Sequence, residues 1–154
     1  MDKPLVSVVM GSKSDAPIID NCIKTLDMLG VSYEVKVLSA HRKPRETALY
    51  AQQLNKKGIK VVIAGAGGAA HLPGVIASYT TIPVIGIPIP SSPLQGVDAL
   101  YSIVQMPKGV PVGCMAVGKA GAVNAAIFAV QILSLEDESF KRKIEEYRRR
   151  WSKE

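Results

Sequence analysis

Between Glu46 and Asp98 the chain has no acidic residue, and that gap removes one familiar reading. Gly65-Ala66-Gly67-Gly68-Ala69-Ala70 matches the dinucleotide pattern G-x-G-x-x-G/A in form. That fingerprint, however, needs an Asp or Glu about 20 positions further on to hold the ribose hydroxyls. A second glycine pattern lacks one hydroxyl. Gly113 to Lys119 has the spacing of a phosphate-binding P-loop, but Ala120 stands where Ser or Thr would ligate magnesium. Aromatic residues make up 5% of the 154 residues, too few for a surface that stacks nucleic-acid bases. The two cysteines, Cys22 and Cys114, have no CxxC partner, so neither a disulfide framework nor a metal site is expected. No apolar run approaches the ~20 residues of a membrane span, and the first residues lack a basic-then-apolar signal pattern. The expected location is the cytoplasm, with no membrane partner.

Net charge is +6, but residues 141–154 hold seven Lys/Arg against three Glu, so +4 lies there and only +2 in the rest. A nucleic-acid binder threads its basic stripe through the fold. An excess confined to one terminal segment reads as a solvated or subunit-facing helix.

Apolar residues reach 47% and are mostly small aliphatics, the composition of a parallel sheet covered on both faces. Runs of strand length alternate with segments of helical period. Strands are expected over 5–10, 33–38, 60–64, 84–87 and 112–117. Helices are expected over 15–29, 44–57, 72–79, 97–105 and 122–134, with a charged last one from Ser139, its cap, to Trp151. Gly30 and Gly58 close the first two helices. Five βα units in series predict an α/β fold: a flavodoxin-like, doubly wound, parallel five-stranded sheet in the order 2-1-3-4-5, as three αβα layers with an extra C-terminal helix. No linker or repeat divides the chain, so residues 1–154 read as one domain, with the helix over about 136–151 facing neighbouring subunits.

Polar residues gather after the strands. Gly11-Ser12-Lys13-Ser14-Asp15 follows the first, Ser39-Ala40-His41-Arg42 the second, the glycine run through His71 the third, Ser91-Ser92 the fourth and Gly118-Lys119 the fifth. In open α/β sheets ligands bind beyond the carboxyl ends of the strands, so these loops are expected on one rim. His41 and His71 are the only histidines, and an imidazole can move a proton at neutral pH. His41, beside Arg42, is the candidate acid/base. His71 either orients its loop or contacts a substrate carboxylate. Ser14 is a natural cap for the first helix, and Ser12 with Ser14 at that helix start also makes a phosphate cradle, to which Arg42 adds a bidentate partner. Asp15 would repel a phosphate and is expected to accept hydrogen bonds from ribose hydroxyls. A nucleotide monophosphate is the expected small-molecule partner. A flavin-binding module is disfavoured by the lack of ring-sandwiching aromatics. A phospho-receiver is disfavoured because the third strand ends in Ala64-Gly65 without an Asp.

The motifs at residues 11–15, 39–42, 64–74 (Ala-Gly-Ala-Gly-Gly-Ala-Ala-His-Leu-Pro-Gly), 102–107 (Ser-Ile-Val-Gln-Met-Pro) and 118–125 resemble the class I 5-(carboxyamino)imidazole ribonucleotide mutase family of purine synthesis. The resemblance runs from the first strand to about Leu133. Carboxylases that use carbon dioxide directly share the first two loops but typically carry Lys where Arg42 stands and lack the Gly-Gly-Ala-Ala-His run; with the same site, they remain the alternative. Lys43 departs from the family, which usually has Thr there. The resemblance implies carboxylate transfer from the exocyclic amine of an aminoimidazole ribonucleotide to the neighbouring ring carbon, through enclosed carbon dioxide and without ATP, metal or organic cofactor. It assigns the proton transfers to His41 and the phosphate to Ser12, Ser14, Ser39 and Arg42, with Ala40 beside them. It gives the ribose to Asp15 and the carboxylate pocket to Gly67, Ala70, His71 and Leu72. It also implies a homo-octamer, and coupling to an ATP-dependent synthase that supplies the carbamate.

Overall fold

The computed structural model describes residues 3–151. Five strands, β1 (Val6–Met10), β2 (Tyr33–Val37), β3 (Val61–Gly67), β4 (Val84–Ile89) and β5 (Gly113–Cys114), form one sheet in the order β2-β1-β3-β4-β5, every neighbouring pair parallel. The helices are α1 (Ala16–Met28), α2 (Pro44–Lys57), α3 (Leu72–Tyr79), α4 (Val97–Val104), α5 (Lys119–Leu133) and α6 (Glu138–Trp151). This is the doubly wound order expected from the alternating pattern. None of these helices is long and apolar enough to cross a membrane.

Strand side chains alternate between two cores because successive Cβ atoms point to opposite faces. Val6, Val8, Val61 and Ile63 meet α1, α5 and α6 on one face, while Val9, Val62 and Ala64 meet α2, α3 and α4 on the other. Each fully buried Val, Ile or Leu contributes roughly 1.5–3 kcal/mol relative to exposure, so neither helix layer is optional. Cys22 lies fully buried in the first of these cores, where the lack of water pushes its thiol up to about 12.

Four expectations are corrected. β3 runs to Gly67 rather than ending at Ala64, because Ala66 and Gly67 pair with Pro88 and Ile89 of β4. β5 is two residues long rather than spanning 112–117. The Gly86 and Pro88 carbonyls accept from the Met115 and Gly118 amides, but Pro88 has no N–H to return, and the ladder stops. α5 starts at Lys119, three residues before the expected Ala122, because the Ala122 amide already closes a turn onto the Gly118 carbonyl. The cap of α6 is Asp137 rather than Ser139: its carboxylate accepts from the Ser139 amide at 2.8 Å. Phe140 and Ile144 of α6 belong to this chain's own core, so what α6 can offer a neighbouring subunit is its charged face. Lys153 and Glu154, counted in the basic tail, lie outside the described residues.

α5 reaches its place only because residue 121 has no side chain. A Cβ there would lie 1.6 Å from the Ala116 carbonyl oxygen, a backbone atom with nowhere to go. Gly121→Ala should therefore lower stability by about 3 kcal/mol or more, measured as a fall in the urea midpoint. An unchanged midpoint would contradict this packing.

Candidate active site

Three loops leave the carboxyl ends of β1, β2 and β3 and close around one cleft of about 270 Å³. The β1 loop begins with the Gly11 amide donating to Gly65 of β3 at 3.2 Å. A single 3₁₀ turn, Lys13–Asp15, then precedes α1 and moves the cap forward in the chain. Ser12 Oγ accepts from the Ser14 amide at 3.3 Å and from the Ser14 hydroxyl at 2.9 Å. Asp15 Oδ2 accepts from the Ser12 amide at 3.1 Å, closing a capping box. Ser12 therefore takes a capping role in place of Ser14, but it caps the 3₁₀ turn; α1 itself follows Asp15 with no side-chain cap bond.

Asp15 is only 5% exposed. Burial holds its carboxyl above the ordinary value of 3.8, against the Ser12 and Gly11 amides, which pull it down. A carboxylate kept partly desolvated at a cleft wall is a marker of function rather than of stability.

The β2 loop carries Ser39, Ala40, His41 and Arg42, all lining the cleft. Ser39 Oγ accepts from the Arg42 amide at 3.2 Å. The β3 loop turns at Gly68, which sits in the left-handed region at φ +58. It reaches α3 at His71, whose ring makes no capping bond to the helix. That ring is therefore left for another partner. His41 Nε2 and His71 Nδ1 lie 2.7 Å apart, with the rings edge to face at 75°. At that distance one hydrogen lies between them, so one imidazole donates and the other accepts.

The opposite wall is built from absence. A Cβ on Gly67 would lie 1.9 Å from Ser91 Oγ and 3.1 Å from the Ile89 carbonyl. The cleft thus has bare backbone on one side and hydroxyls and a guanidinium on the other.

Of the residues expected at the site, Ser12, Ser14, Asp15, Ser39, Ala40, His41, Arg42, Gly67, His71 and Leu72 all line the cleft. Ala70 does not, since its side chain is 1% exposed and packs into the α2–α3 core. Gly11, Ala66, Ala69 and Ser91 line it without having been given a role there. Their signal was position: Ser91 follows β4 on the same rim. The Gly118-Lys119 loop contributes nothing to the cleft, because β5 is separated from β1 by β3 and β4. Cys114 also lies elsewhere, its thiol donating to the Met115 carbonyl and pushed up by burial. Among the described residues no group of His, Cys, Asp or Glu is arranged to hold a metal ion.

Residues 5–154 match the family model described as AIR carboxylase. A protein of Vibrio parahaemolyticus named N5-carboxyaminoimidazole ribonucleotide mutase is 56% identical over 143 residues, covering 93% of this chain and 89% of that protein. One of Bacillus subtilis with the same name is 56% identical over 146 residues, covering 95% and 90%. The crystal structure of Treponema denticola PurE superposes with a TM-score of 0.87 at 26% identity, covering 97% of this chain and 92% of that one.

A raised carboxyl in the folded state favours the protonated form. Asp15 therefore supports the fold most below its ordinary 3.8, and that support falls as pH rises toward the shifted value. Asp15→Asn keeps an oxygen for the Ser12 amide and removes the buried charge. It should melt no lower than the parent at pH 7, and the two should converge as the pH falls to about 3. A markedly lower melting temperature for the variant at pH 7 would refute this account of Asp15.

Proposed function

The chain belongs to the AIR carboxylase family, and from that premise we propose that it is an N5-carboxyaminoimidazole ribonucleotide mutase with His41 as its proton-transfer group. The enzyme acts in purine biosynthesis on a nucleotide substrate, moving a carboxylate from the exocyclic amine of the aminoimidazole to the neighbouring ring carbon. The observation that carries the reading is the His41–His71 pair, 2.7 Å apart at the edge of a cleft walled by Ser12, Ser14, Ser39 and Arg42 on one side and Gly67 on the other.

In this reading the phosphate lies among Ser12, Ser14, Ser39 and Arg42, where amides, hydroxyls and a guanidinium supply donors. Ala40 adds its backbone to that wall. Asp15 accepts from the ribose hydroxyls. His41 gives a proton to the exocyclic nitrogen as the carbamate C–N bond breaks, leaving the amine and carbon dioxide. The electron-rich ring carbon attacks carbon dioxide to form the C–C bond. His41 then takes the proton from that carbon, and the ring regains aromaticity. Atoms and protons balance, so nothing but the isomer leaves. Gly67, His71 and Leu72 shape the pocket that keeps carbon dioxide within reach, and the rate gain is largely one of proximity.

The enzyme uses no ATP, metal or organic cofactor of its own. It works in the cytoplasm beside an ATP-dependent synthase that supplies the unstable carbamate. It assembles as a homo-octamer with sites near subunit boundaries, a reading supported by exposed Leu94, Val97, Tyr101 and Val104 on and beside α4.

His41→Asn should lower kcat by about 10³-fold or more while substrate still binds within a few-fold of the parent, measured by calorimetry. Full activity in the variant would rule out the mechanism. Turnover of the carbamate ribonucleotide should persist as bicarbonate is withdrawn; activity that instead needs bicarbonate and the unsubstituted aminoimidazole ribonucleotide would make the enzyme a carboxylase.

A further inference from the structure

His41 is carried on a loop, and among the described residues its ring bonds only His71. What aims the ring must therefore act on the loop at its base. Within the loop, the Lys43 amide donates to the Ser39 carbonyl at 2.9 Å and the Arg42 amide to Ser39 Oγ at 3.2 Å. These bonds close the loop on itself, and Ala40 packs against the core beneath it, but none of them hydrogen-bonds the loop to a fully buried side chain.

Thr47 supplies that link. It sits in the first turn of α2 and is 0% exposed, one of four polar or charged residues buried in the described chain. Its hydroxyl donates to the Lys43 carbonyl at 2.9 Å and lies 3.5 Å from the Ser39 carbonyl. Its amide also donates to Lys43 at 3.0 Å. A threonine bonded to its own i−4 carbonyl is ordinary in a helix. A second carbonyl eight residues back, on the other limb of the loop, is not. The single hydroxyl hydrogen is thus given mainly to Lys43, with the Ser39 carbonyl as a longer, shared acceptor, so one buried group faces both ends of the segment that holds His41 and Arg42.

We propose that Thr47 is a positioning residue: its hydroxyl, donated to the Lys43 carbonyl with the Ser39 carbonyl as a longer shared acceptor, braces the base of the Ser39–Lys43 loop and so sets the alignment of His41 with His71 and the cleft. The proposal rests on the reading of His41 as the acid/base. Thr47 touches no substrate and acts only through the loop. Burial of Thr47 makes the brace effective, since a buried hydroxyl without an acceptor is costly.

Thr47→Val keeps the shape and deletes the hydroxyl, while Thr47→Ser keeps the hydroxyl and trims a methyl. Two readouts are taken: the ring-nitrogen NMR shifts of His41 and His71 in the ligand-free protein, and kcat with the carbamate ribonucleotide. Thr47→Val should move both histidine signals and lower kcat about tenfold, the scale of a sub-ångström misplacement, with Thr47→Ser restoring both to near the parent. Thr47→Ala gives the same reading if the valine variant does not fold. Tyr50→Phe is the control. Tyr50 lies one turn further along α2, and its hydroxyl bonds Ser7 at 2.5 Å and the Glu34 carboxylate. That variant loses a half-buried hydroxyl from the same helix and should leave both readouts near the parent.

The proposal is overturned if Thr47→Val leaves the histidine signals or kcat unchanged, if Thr47→Ser is as impaired as Thr47→Val, or if Tyr50→Phe shifts both readouts equally. If the parent protein shows no turnover at all, the functional reading fails on its own, and the histidine signals alone decide whether Thr47 holds the loop.

Discussion

β1 is hydrogen-bonded to β2 along one edge and to β3 along the other, residue for residue from Val6 to Met10. All three strands are parallel, so all three end at the same rim. The crossover helices leave toward opposite faces from that point, α1 on one side of the sheet and α2 and α3 on the other. The loops diverge there and open the crevice where ligands bind in this class of sheet. Most of the site follows from that pairing, with Ser91 of the loop after β4 completing the wall at Gly67. Ser12 and Asp15 come from the first strand, His41 and Arg42 from the second, Gly67 and His71 from the third.

The site departs in several places from what stability alone would choose. Asp15 is a buried carboxylate held above its ordinary value, and Gly67 leaves out a side chain where Ser91 presses in. His71 occupies a helix start without capping it. Elsewhere the chain obeys the ordinary rules: no buried side-chain polar atom lacks a partner among the described residues. The exceptions are concentrated where three loops meet, as expected when a scaffold is rigid and its function lies in the connections.

Much of this was legible in the residues. Alternating apolar runs led to the correct sheet order, and the clustering of polar residues after strands led to the correct rim. What failed depended on partners. Ser14 looked like a cap, but the 3₁₀ turn at Lys13–Asp15 passed that role to Ser12. Ala64 looked like the end of β3, but β4 alongside extended the pairing through Gly65, Ala66 and Gly67, three residues of low strand propensity. Ala70 carries the same motif signal as its neighbours yet turns inward to the core. Local pattern reports what a segment prefers, and tertiary contacts decide where it begins, ends and points.

The periodicity and chemical types of the residues were sufficient to determine five parallel strands, their two covered faces and that polar loops gather beyond the strand ends. Burial of an apolar face is a property of each segment and needs no knowledge of the others. Only the folded chain decided that His41 would meet His71, 30 residues away, within a single hydrogen bond. The same is true of the Thr47 hydroxyl, which faces both limbs of the loop below it. Such bonds depend on loop dihedrals and on strands placed side by side, and neither has a repeating signature along the sequence.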